Sequence, residues 1–227
     1  MFFLCVGTFR SKIGRAVPLN TSYLFFLDPF GHPLSLVDMD SRLKTDRSKF
    51  GYNAGCQMEI KNEKLLLRPW KLEDLDSLVK YANNRNVSIN LRDSFPYPYT
   101  EKDGKKWIEA AALVSPPEQF AMVKDAHAVG GIGLILGTDI FRRSAEIGFW
   151  LGEAYWGRGL AVEAVKMVTA YAFETFDLTR IFAGVFARNR ASARALEKAG
   201  FMLEGRLRRA VIKEGEVFDE LMYSLVQ

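Results

Sequence analysis

Residues 146–161, EIGFWLGEAYWGRGLA, hold the residue types and spacing from which chemistry can be built. The stretch opens as a strand, with Ile147, Phe149 and Leu151 facing one way and Glu146, Gly148 and Trp150 the other. It bends at Gly152, reaches the turn Gly157-Arg158-Gly159 and enters an amphipathic helix. There Ala161, Ala164, Val165, Val168, Tyr171 and Ala172 recur at helical spacing. Strand, glycine turn and helix N-terminus together bind anions. Glycines let the backbone approach a phosphate, and the free N–H groups of the first helical turn point at it. The expected ligand is a phosphate-bearing cofactor, with Arg158 placed either to pair with a phosphate or to face water.

Two phosphate loops fit this stretch poorly. A P-loop needs Lys and a hydroxyl after its second glycine, where this chain has Arg158 and Gly159. A dinucleotide fingerprint needs a third glycine, where Val162 stands, and a βαβ unit with an acidic residue about twenty positions on.

The elements that must position this stretch come from the rest of the chain. Residues 1–57 carry 7 of the 17 phenylalanines but no sustained period, and Pro18, Pro29 and Pro33 interrupt them. They read as an extension outside the domain, with Met58 as the expected functional start. The domain is expected over residues 58–227. Lys64–Arg68 reads as a strand and Glu73–Tyr81 as a helix with apolar positions Leu72, Leu75, Leu78 and Val79. A short helix or turn over 83–91 leads to the aromatic, proline-stiffened loop SFPYPYT. Glu101–Leu113 is a helix burying Trp107, Ile108, Ala111 and Ala112, with Thr100 a candidate cap. Two strands, 119–123 and 128–137, turn through residues 124–127, which puts His127 at a solvated tip. After the long helix come a strand at 179–186, a helix at 190–199 closed by Gly200, and strands near 203–211 and 217–226. The order implies an α+β fold, a mixed sheet flanked by helices.

Composition excludes several classes. The content, 48% apolar and 26% charged, is that of an ordinary soluble domain, and cytoplasmic placement is expected. Cys5, Cys56, His32 and His127 lie too far apart to form a metal-ligand pattern, so no metal is expected. The net charge of +4 arises mostly in residues 1–57, which contribute +3, so no nucleic-acid surface is expected on the domain. The apolar run Phe2–Val6 is too short for a signal and has no basic segment before it, and Leu24–Phe30 is interrupted by Asp28 and Pro29, so no signal or membrane span is expected.

Residues 156–161, WGRGLA, resemble the pyrophosphate loop of the GNAT acyltransferases, [QR]-x-x-G-x-[GA], with Trp156 in the first position. The segments at 65–78, 145–164, 189–201 (NRASARALEKAGF) and 218–226 (FDELMYSLV) are similar to the RimJ/RimL-like branch of that superfamily. That branch includes ribosomal-protein N-terminal acetyltransferases. The resemblance implies the GNAT acyl-CoA N-acyltransferase fold and acetyl-CoA as cofactor. It assigns Phe149, Trp150 and Leu151 to pantetheine, Trp156, Gly157, Arg158, Gly159, Leu160 and Ala161 to pyrophosphate, and Asn189 with Ser192 to the pantetheine arm. Asn189 also reads as a helix N-cap, and the two roles are compatible. Phe95, Tyr97 and Tyr99 lie on the segment that the resemblance puts beside the acceptor.

Acetyl transfer from a thioester needs a positioned carbonyl, a neutral amine and a donor for the oxyanion and leaving thiolate. Many GNAT enzymes place a Tyr acid after the Leu of the N-x-x-[AS]-x-x-L block; here Glu197 follows Leu196. Glu146 is then the first candidate base, acting through water, and Tyr223 the second. Such a site suits an α-amine, of pKa roughly 7.7–8.0, better than a lysine near about 10.4. The expected acceptor is a protein N-terminus. A small-molecule amine, or a silent acyl-CoA-binding module, is the alternative. The sequence leaves monomer and dimer open.

Overall fold

In the computed structural model the described residues are 58–227, so the expectations for residues 1–57 lie outside them. Strands β1 (Ile60–Lys61) and β2 (Leu66–Pro69) lead into helices α1 (Leu75–Ala82), α2 (Arg85–Ser88) and α3 (Glu101–Ala112). Then follow β3 (Gln119–Lys124), β4 (His127–Leu136), β5 (Ser144–Leu151) and α4 (Leu160–Thr175). The chain ends with β6 (Arg180–Phe186), α5 (Arg190–Lys198), β7 (Met202–Lys213) and β8 (Glu216–Val226). The eight strands form one sheet in the order β1-β2-β3-β4-β5-β6-β8-β7. Every neighbouring pair is antiparallel except β5 with β6.

Alternation sorts the sheet into two buried layers. On one face Leu67, Phe120, Met122, Leu134, Ile147 and Ile181 pack with Leu160, Val165 and Val168 of α4 and Leu196 of α5. On the other, Trp70, Ala121, Val123 and Ala128 pack with Leu78 and Ala82 of α1, Tyr99, and Ile108 of α3. Each aliphatic side chain so buried contributes roughly 1.5–3 kcal/mol. The central strand β4 is apolar along most of its length because both faces are covered.

Polar groups fix where the helices enter. Arg68 is bidentate to the buried Asp74, at 2.7 and 2.8 Å, and Asp74 also accepts from the Lys71 N–H. Its own hydrogen bonds to Asp74 hold the Arg68 guanidinium above its ordinary pKa. Removing one partner of such a buried pair costs about 3–5 kcal/mol. Thr100 caps α3 in a reciprocal box with Asp103, as its hydroxyl suggests, and Thr100 holds that carboxyl below the usual range. At the end of α5 the Phe201 and Gly200 N–H groups return to the Leu196 and Glu197 carbonyls, with Gly200 at φ +99°.

Three details differ from the sequence expectations. Leu72 lies in a 3-10 turn before α1 and is exposed, and Ala112 is exposed at the last residue of α3. Both sit where the helical period has not started or has already frayed. Strand β1 is too short to show a period in sequence.

Candidate active site

Strands β5 and β6 hydrogen-bond only through Ser144 with Arg180, Ala145 with Ile181 and Glu146 with Phe182. Beyond that row β5 continues to Leu151 and β6 to Phe186, and the two diverge. The facing edges of Ile147–Leu151 and Ala183–Phe186 therefore have no strand partner across the opening. Phe149, Trp150 and Leu151 sit on this open edge. Trp156 reaches back to it, its Nε1–H donating to the Leu151 carbonyl at 2.7 Å.

Because β5 and β6 are parallel and each is followed by a helix, the N-termini of α4 and α5 lie at the same end as the opening. Gly159 caps α4 at φ +76°, and Gly157 sits at φ +75°. An L-residue costs about 1–2 kcal/mol in that region. A Cβ built on either glycine would meet nothing within 4 Å, so the surface is open to a ligand. Arg158 stands between them in the chain, its guanidinium 5.3 Å from the Tyr155 ring centroid. Left-handed glycines, a helix N-terminus at Leu160 and Ala161, and one cation fit a pyrophosphate. At the start of α5 the Asn189 Oδ1 accepts from the Ser192 N–H at 3.2 Å, while its Nδ2 donates to the Ser192 hydroxyl at 2.9 Å. The cap is thus formed, and both side chains stand at the mouth of the opening.

The other face is roofed by residues 84–99. Arg92 forms an ion pair with Glu146, the last β5 residue paired with β6. Phe95 packs edge-on to Trp150 at 5.6 Å and against Tyr99 at 5.0 Å. At its far side the segment is tied to the β7–β8 hairpin: Lys213 Nζ donates to Asp93 at 2.8 Å, and Arg85 is bidentate to Glu214. Arg188 donates to the Ile89 carbonyl at 2.5 Å. The roof therefore runs from β5 to the β7–β8 hairpin across the line where the sheet divides.

Not every candidate is brought together. Tyr223 is opposite Ala183 in the β6–β8 register, whereas Glu146 is opposite Phe182, so the two side chains leave opposite faces. Tyr223 is buried, and its hydroxyl donates to Glu197 at 2.9 Å. Burial first, and that bond second, raise its pKa above the ordinary value. Tyr99 is buried in the α1–α3 layer and its hydroxyl is pushed well above its usual range by that burial. Tyr97 is half exposed, and His127 is exposed at the start of β4. Among the described residues no group of three or more His, Cys, Asp or Glu could hold a metal. None of the described helices is long and apolar enough to cross a membrane.

The sequence reading missed Arg92, Asp93, Lys213 and Glu220. Each acts on a partner more than fifty positions away or on another strand, and none carries a local motif.

Residues 64–202 match the Acetyltransferase (GNAT) domain family. The chain is 32% identical over 170 residues to N-acetyltransferase p20 of Bacillus licheniformis, covering 73% of this chain and 94% of that one. It is 26% identical over 167 residues to spermidine N(1)-acetyltransferase of Escherichia coli K12, covering 71% and 85%. The structure of RimL, a ribosomal L7/L12 alpha-N-protein acetyltransferase in complex with coenzyme A, superposes with a TM-score of 0.64. That structure is 18% identical, the match covering 74% of this chain and 97% of that one, and it shows the fold alone. This chain belongs to the GNAT acetyltransferase family and is an N-acetyltransferase.

Proposed function

We propose that the protein acetylates the N-terminal α-amine of a protein or peptide, as a RimJ/RimL-like member of the family, with acetyl-CoA as donor. When bound, acetyl-CoA supplies a thioester carbonyl at which an amine replaces sulfur. The backbone of Gly157–Ala161 and Arg158 would hold its pyrophosphate. The open edge of Phe149–Leu151, with Asn189 and Ser192, would hold the pantetheine arm. Phe95 and Trp150, with Tyr97 on the same segment and the buried Tyr99 packed behind Phe95, would shape the acceptor side.

One observation carries the choice of acceptor. Glu146, the carboxylate at the point of divergence, is already ion-paired with Arg92. A carboxylate shared with a guanidinium draws a proton weakly. Such a site favours an amine that deprotonates readily, and an α-ammonium is more acidic than a lysine by roughly 2.5 units. The similarity to a spermidine acetyltransferase supports a second reading, a small polyamine as acceptor.

The test is thiol release from acetyl-CoA with Ser-, Ala- and Thr-initiated peptides, spermidine, amino acids and aminoglycosides. Release with the peptides is expected. Release with spermidine alone would replace the α-amine by the polyamine, leaving fold and donor as they are.

A further inference from the structure

The roofed face carries a second carboxylate, and no ion pair occupies it. Glu220 of β8 is directly opposite Phe186 in the β6–β8 register, and Met222, two residues on, is opposite Gly184. Alternation places Glu220, Met222, Gly184, Phe182 and Glu146 on one face. The Glu220 side chain folds back along the sheet and lies on Gly184. A Cβ built on Gly184 would stand 2.3 Å from Glu220 Oε1 and 2.9 Å from its Cδ. The missing side chain of Gly184 is therefore the niche that receives the carboxylate. Gly184 is also the first residue on this face of β6 beyond Phe182, where hydrogen bonding to β5 ends. The Glu220 carboxylate thus sits at the start of the opening.

It forms no ion pair with a cation of the roof or of the β7–β8 hairpin. Arg92 pairs with Glu146, Arg85 with Glu214, Lys213 with Asp93, and Arg206 with Asp219. Among the described residues Glu220 has no hydrogen-bond or ion-pair partner of its own, although it is only partly exposed. A half-buried anion held at the divergence of the sheet, in a protein that acts on amines, is complementary to a cation entering there.

We infer that Glu220 is the acceptor-recognition residue: it binds the ammonium form of the incoming amine and holds it at the opening. The ammonium gives its proton to water, one N–H bond breaking as one O–H bond forms, and the nitrogen keeps the electron pair with which it attacks. Glu146, held by Arg92, then shapes the field beside it instead of binding the cation. The inference rests on the amine-acceptor reading above, and it applies to an α-ammonium or a polyamine alike.

The test measures binding in the absence of turnover. The full chain is saturated with coenzyme A and titrated calorimetrically with an Ala-initiated peptide, the same peptide N-acetylated, and spermidine. Wild type is expected to prefer the free amine over the acetylated peptide by roughly tenfold or more, the scale of a charge-assisted hydrogen bond. Glu220→Gln is expected to bring the two peptides within about twofold of one another while the Kd for coenzyme A stays unchanged. Gly184→Ala, which evicts the carboxylate from its niche, is expected to do the same, and Glu220→Asp to restore part of the preference. Preference for the free amine retained in Glu220→Gln would overturn the inference. Loss of spermidine binding in Glu220→Gln, where wild type binds spermidine and not the peptide, would uphold Glu220 and overturn the α-amine choice.

Discussion

The two sides of the opening between β5 and β6 are built by different means. On the proposed donor side the groups are backbone: the open edge of Phe149–Leu151, the left-handed Gly157 and Gly159, and the first turn of α4. They lie within a run of about a dozen residues, and local conformation alone arranges them. On the acceptor side the groups are side chains, joined by Arg92 to Glu146, Lys213 to Asp93 and Arg85 to Glu214 across 54, 120 and 129 positions. The donor side can keep its geometry while side chains vary. The acceptor side can be re-aimed by changing a few charged residues without disturbing the sheet. A family that keeps one donor and serves many amines is well served by that division.

The largest way to break this division is to give the donor side a side chain where it has none. Gly159→Val puts a β-branched residue at φ +76°, on the surface proposed to hold the pyrophosphate. Affinity for acetyl-CoA, measured by calorimetry, is expected to fall about a hundredfold, the equivalent of losing one or two hydrogen bonds to a charged group. The fold should survive with a lower Tm, since the conformational cost is about 1–2 kcal/mol and nothing in the protein occupies the space. Undiminished affinity would mean that the glycine turn does not carry the phosphates.

A smaller effect, confined to the other side, is expected from Arg92→Ala. It leaves the Glu146 carboxylate, 17% exposed, without its guanidinium. The kcat/KM for the acceptor should fall roughly tenfold, as for a partly buried charge pair, while the Kd for acetyl-CoA changes less than about twofold. Adding Glu146→Gln to Arg92→Ala should recover stability relative to the single variant, because the stranded charge is gone. A matching loss of donor affinity would show that the two sides are coupled through β5.

This division also explains what could be read from the sequence. The strand, glycine turn and helix at 146–175 follow from period and residue type, as do the cap at Thr100 and the closure of α5 at Gly200. The turn between β3 and β4 was marked only weakly: Asp125 and Ala126 adopt φ 50° and 66°, a geometry for which Asn-Gly is the usual signal. Faces were legible by alternation, so Glu146 and Trp150 were placed together. What faces them was not legible, because Arg92 and Asp93 are ordinary charged residues in an irregular segment until the chain brings β5 and the β7–β8 hairpin to them. Glu220 was hidden for the same reason, since its position depends on the niche left by Gly184, opposite Met222 in a strand 36 residues earlier. Tyr223 shows the converse: residue type suggested a second base, but register sends it to the opposite face.

The smallest effect is a control for location. Arg180 and Glu204 are also a long-range side-chain pair, joined by two hydrogen bonds and supported by Ser224 at 2.6 Å. They lie at the end of β6 that still pairs with β5, opposite Ser144, away from the opening. The bonds from Arg180, then Ser224, lower the Glu204 carboxyl from 4.5 to about 2. A carboxyl depressed in the folded state stabilises fully above its ordinary value, and that contribution is lost as pH falls through the folded value. Wild type should therefore exceed Glu204→Gln in Tm by a few degrees at most above pH 4.5, with the gap closing between 4.5 and about 2. The kcat and KM for the acceptor should be unchanged at neutral pH. If this distant pair altered acceptor kinetics as strongly as Arg92→Ala, the acceptor side would owe its specificity to the rigidity of the whole sheet, and the charges at the opening would have no special role.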